Sequence, residues 1–303
     1  GNDLFINSNG ATFSNQNTTY KVDNVTNAMG IAIGDYNNDG LFDIFTTNID
    51  SNRLFENNGT DFTEVAETQG VKNADWAWDT RFADFDLDGD EDLFVANGFS
   101  YRRKENMLFK NQHIQGQNTF IDISDSSNLD HSGYSMSSAI FDFDNDGDLD
   151  IFVGNADALS LFYENQTIVQ NQSNSIQWLK VQLQGTTSNR NGIGAKVAVK
   201  TNKGTYHRFY HGVGLYSQSI QPIHVGLSDA TTIEEVKIIW PSGLVETHTT
   251  GINLNSTILL TESISVDSGC SSITQSLSSI IICGAFSFIA LSLSSPSLNN
   301  ICC

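Results

Sequence analysis

Positive charge is scarce in this chain: 15 Lys and Arg stand against 35 Asp and Glu in 303 residues, a formal net charge of −20. A phosphate backbone needs a basic stripe to dock on, so nucleic acid is excluded as a partner. Long apolar runs are missing too. An apolar stretch from Ile280 to Leu293 is too short to cross a bilayer, which argues against a membrane span. Proline occurs only 3 times, and cysteine is absent until Cys270, Cys283, Cys302 and Cys303. Those four allow three pairings; a disulfide-stapled tail would suit an oxidising compartment, and free thiols in an apolar tail are the alternative. No segment sustains a capped helical period, while Gly, Asn and Asp punctuation predicts many short strands. The chain opens on Gly1 without Met or leader, as expected of a mature or truncated product.

What is abundant is acid, and it is concentrated. Fourteen of the 35 acidic residues fall in the windows 35–43, 84–92 and 142–150. Such crowding repels itself unless a cation neutralises it or the segment unfolds. The windows are embedded in repeats. Asn2-Asp-Leu-Phe-Ile-Asn7 recurs as Asn52-Arg-Leu-Phe-Glu-Asn57 and Asn106-Met-Leu-Phe-Lys-Asn111, with a weaker copy at Leu161-Phe-Tyr-Glu-Asn165. A strand containing Phe13, Phe62 or Phe120 follows each of the first three copies. Next come a small-residue strand, an acidic loop and an apolar strand. The unit repeats about every 50–58 residues with about four short strands, the size of one propeller blade.

The acidic loops share the pattern D-x-[DN]-x-D-G-x-x-D, and their oxygens are placed to converge. Positions 1, 3, 5 and 9 are Asp35, Asn37, Asp39 and Asp43 in loop 1; Asp84, Asp86, Asp88 and Asp92 in loop 2; Asp142, Asp144, Asp146 and Asp150 in loop 3. Alternate residues of a tight turn face one point, and Gly at position 6 permits the positive φ that bends the chain round an ion. Position 7 (Leu41, Asp90, Asp148) offers a main-chain carbonyl. About six hard oxygen ligands suit calcium, whereas magnesium demands a tighter octahedron. Without His or Cys in the loops, zinc and copper are poor candidates. An EF-hand is excluded: its position 12 needs Glu and flanking helices, and here that position is Thr46, Val95 or Val153, inside apolar strands. Three in-register copies predict about three calcium ions, acting as staples, rather than plain Asp/Asn/Gly turns.

From about residue 174 the pattern changes. Trp178-Leu-Lys-Val-Gln-Leu183, Ala195-Lys-Val-Ala-Val199 and Val236-Lys-Ile-Ile-Trp240 alternate as half-buried antiparallel strands do. Residues 268–303 carry no charge and are Ser-rich. Alternation such as Phe286-Ser-Phe288 predicts packed strands or an interface, in preference to a cleaved lipid-anchor signal. The fold class expected is all-β: a partial β-propeller of three to four blades with calcium loops (1–173), an antiparallel β-domain (174–262) and an apolar tail (263–303).

The loops and their apolar strands resemble the FG-GAP/VCBS repeats of integrin-α-like propellers. Asn191-Gly-Ile-Gly-Ala-Lys-Val197, Gly214-Leu-Tyr-Ser-Gln-Ser219, His224-Val-Gly-Leu227 and Trp240-Pro-Ser-Gly243 resemble the ASPIC/UnbV domain that follows such repeats in cartilage acidic protein and its bacterial relatives. The resemblance implies a secreted or cell-surface protein used in adhesion or matrix binding, with Asp35, Asn37, Asp39, Asp43 and their counterparts as calcium ligands. The family commonly has more blades than are found here. A fragment, gap-filling by the second domain, or blades from another copy would each account for the difference.

Nothing in the sequence predicts an enzyme: no nucleophile elbow, P-loop or dinucleotide fingerprint occurs. His207 and His211 sit in a strand-like region, where a four-residue gap spans some 13 Å, too far for shared metal ligation; His224 is expected to make a structural hydrogen bond. Sequons at Asn17, Asn24, Asn58, Asn165, Asn171 and Asn255 permit glycans. Two functions compete. One is a structural subunit that self-assembles with other copies into an extracellular fibre or surface layer, its uncharged tail completing a neighbour's sheet. The other is a monomeric adhesion module that binds a protein or glycan through loops carrying Trp76-Ala-Trp78 and Tyr101-Arg-Arg103.

Overall fold

The computed structural model describes residues 3–8, 12–23, 27–117, 119–129, 131–170 and 175–264. Residues 1–262 form one compact unit and 263–303 a second. The cysteines and the assembly segment of the tail lie outside the described residues.

Two repeats fold as the four-strand pattern predicts, while among the described residues the first motif copy forms a two-stranded ribbon and the last full repeat three strands. The ribbon β1 (Phe5–Ser8) and β2 (Thr12–Asn15) pairs antiparallel. The first full blade contains β3 (Ala28–Gly34), β4 (Asp43–Ser51), β5 (Arg53–Asn57) and β6 (Phe62–Glu64), paired in sequence order. The second contains β7 (Asn73–Ala83), β8 (Asp92–Asn97), β10 (Met107–Asn111) and β11 (Phe120–Asp122), with the short β9 (Lys104–Glu105) before its third strand. β9 pairs with β12 (Ser132–Gly133). The third blade contains β13 (Ser135–Phe141), β14 (Asp150–Asn155) and β15 (Leu161–Tyr163), followed by the one-turn α1 (Thr167–Gln170). In every blade the acidic loop joins the first strand to the second.

The second strand of the middle blade is buried on both faces, which is why it reads as a run rather than an alternation, whereas Phe152 of the third blade's second strand is exposed. β8 is buried throughout. Leu93 and Val95 pack with Phe45, Leu54 and Phe109 in one core, while Phe94 and Ala96 pack with Phe85, Leu108, Ile151 and Val153 in the next. Period-2 side-chain alternation thus glues one strand into two interfaces.

The second region forms two sheets around its own core of Leu179, Val181, Val197, Val199, Val225, Val236, Ile238 and Trp240. One sheet places β16 (Trp178–Gln184) between β21 (Ile223–Gly226) and β24 (Ser256–Thr261). The other runs β18 (Thr205–Phe209), β17 (Lys196–Thr201), β22 (Ile233–Ile239), β23 (Val245–His248). The pairing is antiparallel as expected except for β16 and β24, which are parallel from Leu179↔Ser256 to Gln184↔Thr261. Alternation cannot reveal this, because parallel and antiparallel strands share the same period. A small hairpin, β19 (Val213–Gly214) with β20 (Ser217–Gln218), leaves this region. It contacts β3, β7 and β13, the first strands of all three blades. Through this hairpin the second region reaches the first strand of every blade.

Candidate metal centres

The three loops adopt one conformation, repeated residue by residue. The position-1 carboxylate accepts the glycine N–H of position 6: Asp35 Oδ2 from Gly40 (2.9 Å), Asp84 Oδ2 from Gly89 (3.0 Å) and Asp142 Oδ2 from Gly147 (2.9 Å). Position 3 accepts the N–H of position 5, through Asn37, Asp86 and Asp144. Position 5 in turn accepts the N–H of position 7, through Asp39, Asp88 and Asp146. The glycines sit at φ 87, 104 and 112°, which a side chain rarely adopts. Position 4 is left-handed too, at Asn38, Asn145 and even the apolar Leu87 (φ 63°). Asn adopts this region readily, whereas Leu87 is held there by its surroundings.

In loops 2 and 3 this scaffold gathers three of the sequence-predicted ligands, those at positions 1, 3 and 5. One oxygen from each of Asp84, Asp86 and Asp88 lies within 4.8 Å of the others, and Asp142, Asp144 and Asp146 form the same group. In loop 1 the amide of Asn37 replaces one carboxylate, and its Nδ2 donates to Asp39 Oδ2 at 3.1 Å. Position-9 aspartates serve the fold as well: Asp43, Asp92 and Asp150 each accept, at 2.8 Å, the N–H of Asn57, Asn111 or Asn165. The position-7 carboxylates hold main-chain groups outside the loops, though Asp148 also interacts with Asp146. Asp90 Oδ2 accepts the N–H of Ile114 and Asp148 Oδ2 that of Ile168. The main-chain carbonyl is then the ligand this position can offer, as for Leu41.

The residues fit a hard cation. Asp84 Oδ1 and Asp142 Oδ1 are buried oxygens with no hydrogen-bond partner, and so is Asp43 Oδ2. A buried acceptor left unsatisfied costs about 1–3 kcal/mol, more when charged. An oxygen-seeking ion would satisfy all three. Burial is the leading cause that pushes Asp35 up to about 7 and Asp43 up to about 8. It also raises Asp84 and Asp92, with neighbouring aspartates adding to the effect. In loop 3, burial raises Asp148 to about 7 and drives Asp146 upward. Without a cation these carboxyls resist ionisation, and a bound cation would reverse that preference.

Two features of the site escaped the sequence reading. The first is the asparagine that ends each Leu-Phe repeat. Asn111 Nδ2 donates to Glu91 O of its own loop and Tyr36 O of the preceding one; Asn165 Nδ2 does the same with Leu149 O and Phe85 O. The motif therefore ties loop 2 to loop 1 and loop 3 to loop 2. A glycan on Asn165 would replace one Nδ2 hydrogen and so remove one of these two bonds. Asn24 and Asn171 lie outside the described residues.

The second is that the other β-region sits on the loops. His224 makes its expected structural bond, Nε2 to Gly147 O at 2.8 Å, and burial lowers it to about 4. Arg208 Nη2 reaches Gly89 O at 3.2 Å, and Lys180 Nζ pairs with Asp142 Oδ2. His207 faces Gly40 of loop 1. His211 lies beyond the end of β18 and stacks on Phe209. No sequence signal links these residues, because they become neighbours only on folding. The aromatic pair expected on binding loops lies elsewhere. Trp76 and Trp78 are on β7, half-buried against Phe99 and Tyr134, and of this group Tyr101 is the ring left exposed.

Residues 35–95 and 88–153 match the family model described as FG-GAP-like repeat, and residues 185–266 match the one described as ASPIC and UnbV. No curated protein matches the chain. Among the described residues no helix is long and apolar enough to cross a membrane.

Proposed function

We propose, for a chain that carries FG-GAP-like repeats with an ASPIC/UnbV domain C-terminal to them, a non-catalytic, calcium-stabilised structural role outside the cell or on its surface. The observation that carries this reading is the unpartnered, buried Oδ1 of Asp84 and of Asp142, each inside a group of three converging carboxylates. An ion that binds only the folded chain stabilises it by RT ln(1 + [L]/Kd), about 2.7 kcal/mol per site at a hundredfold excess. Comparing melting in calcium and in EGTA tests it. A large drop on chelation supports the staple, and unchanged melting removes it.

A second reading, self-assembly into a fibre or surface layer, is favoured by the incomplete blades. Among the described residues β1 has β2 as its strand neighbour, whereas β5 and β10, the equivalent strands, are paired on both sides. Phe5 and Phe13 on this ribbon are 56% and 65% exposed. The third blade has no fourth strand among the described residues. A ribbon of one copy set beside the third blade of the next would complete both, and repetition of such a contact gives a filament. Sedimentation in calcium separates the two outcomes: growth with concentration supports assembly, and a lasting monomer leaves the adhesion module, with a protein or glycan ligand, as the alternative.

A further inference from the structure

The three glycines that shape the loops share a second property. Each faces a side chain of the second β-domain: Gly40 lies against His207, Gly89 against Tyr206 and Gly147 against Trp178. A Cβ at Gly40 would lie 3.5 Å from the His207 ring, whereas at Gly89 or Gly147 it would collide with the Tyr206 or Trp178 ring. Main-chain groups of loops 2 and 3 are bonded as well. Ser228 N–H donates to Leu87 O at 2.9 Å, Arg208 to Gly89 O at 3.2 Å, and His224 Nε2 lies 2.8 Å from Gly147 O. Gly226 packs so closely on Asp84 and Leu87 that a Cβ there would clash. The domain thus reads the shape of all three loops.

We infer that filling the three loops with calcium and seating the second β-domain upon them are one linked equilibrium, each favouring the other. The inference rests on the calcium reading proposed above. Its sign is decided by two opposed effects. Calcium cancels negative charge that attracts Arg208 and Lys180, which would loosen the contact. But loop 2 holds six acidic residues and loop 3 five, so each stays net negative with one divalent ion bound, and the attraction survives. The contacts to Leu87 O, Gly89 O and Gly147 O, and the close fit of the rings on the glycines, exist only while the loops keep this conformation. An ion that holds the carboxylates together preserves it; without one the loops rely on their own hydrogen bonds and on the pairing of Lys110 with Asp86 and Lys180 with Asp142. Shape therefore outweighs the partial loss of charge, and the coupling is positive. By reciprocity, a change in the domain that weakens seating must lower calcium affinity, although the changed residue is no ligand.

Trp178 suits the test, because it is uncharged, lies on Gly147 and is outside the buried core of its domain. The full chain is titrated with calcium chloride by calorimetry as wild type, Trp178→Ala and Trp178→Phe. Hydrogen exchange of residues 205–226 is followed with calcium and with EGTA. The expected results are faster exchange of that segment on chelation, and a fall in calcium affinity within the 5- to 150-fold range of typical couplings for Trp178→Ala, partly restored in Trp178→Phe. An unfolded Trp178→Ala protein would be recognised by its circular dichroism, and the exchange of the wild type then decides alone. Chelation that loosens only residues 35–43, 84–92 and 142–150 would overturn the linkage while leaving calcium binding intact. Absence of any calcium binding would overturn both.

Discussion

Arg208 places its Nη2 3.5 Å from Oδ2 of Asp84, and the two side chains are 5% and 0% exposed. One belongs to the second β-domain and the other opens an acidic loop 124 residues earlier. The guanidinium also approaches Glu91 at 3.6 Å, and Glu91 accepts the N–H of Asp35. A single cation thus sits at the meeting point of two loops and two domains.

Removing one partner of a buried pair strands the other, at a cost of about 3–5 kcal/mol. Arg208→Met is therefore expected to destabilise the metal-free chain by about 3 kcal/mol. With calcium present the loss should be larger, because a change that weakens the seating of the second domain also lowers calcium affinity. Urea unfolding with and without EGTA checks both values, and an equal loss in the two conditions contradicts the shared role.

Acidity should act on the metal-free and loaded forms in opposite directions. Burial raises Asp35 to about 7 and Asp43 to about 8, above an ordinary value of 3.8. Between those values the folded chain keeps protons that the unfolded chain has lost, so metal-free stability falls as pH rises through that window. Calcium requires ionised carboxylates, so its binding strengthens over the same range. The gap in Tm between calcium and EGTA is expected to widen from about pH 5 to about pH 8; a gap constant with pH contradicts the burial of these carboxyls.

Much of this was legible in the sequence, because repeats expose local rules. Loop spacing, glycine position and the apolar strands all follow from residues near one another, and the blades matched them. The parallel pairing of β16 with β24 was hidden, since alternation is blind to strand direction. So was the contact of Trp178, Lys180, Tyr206, Arg208 and His224 with the loops, which depends on chain segments far apart. The asparagines were visible as a repeat but not as a function. Asn57 lies 14 residues beyond Asp43 and Asn111 lies 19 beyond Asp92, so no fixed spacing announces the bond.

Those asparagines carry a measurable share of stability. Asn111→Ala leaves the carbonyls of Tyr36 and Glu91 without this donor inside the blade interface. The expected loss is about 1–3 kcal/mol, with calcium affinity of the adjoining loops reduced as well. Chemical denaturation measures the first, and a change within error of zero contradicts the tie between blades.

Glu262, 1% exposed, closes the second domain without any metal. Its Oε2 accepts the N–H groups of Thr186, Thr187 and Ser188, and its Oε1 the hydroxyls of Ser188 and Ser242. Burial alone would raise its pKa, but these donors outweigh it and hold the carboxyl at about 2. The stability it supplies is present above its ordinary 4.5 and is lost as pH falls towards about 2. Glu262→Gln, which turns one acceptor into a donor facing N–H groups, is expected to cost about 2 kcal/mol. Equal unfolding midpoints for wild type and variant at neutral pH would contradict this role.

The central claim is that each acidic loop holds one calcium ion, and calorimetric titration of the metal-stripped full chain with calcium chloride tests it most directly. The account predicts a stoichiometry of three ions per chain, with magnesium binding far more weakly. A stoichiometry below two, or equal affinity for magnesium, would contradict it.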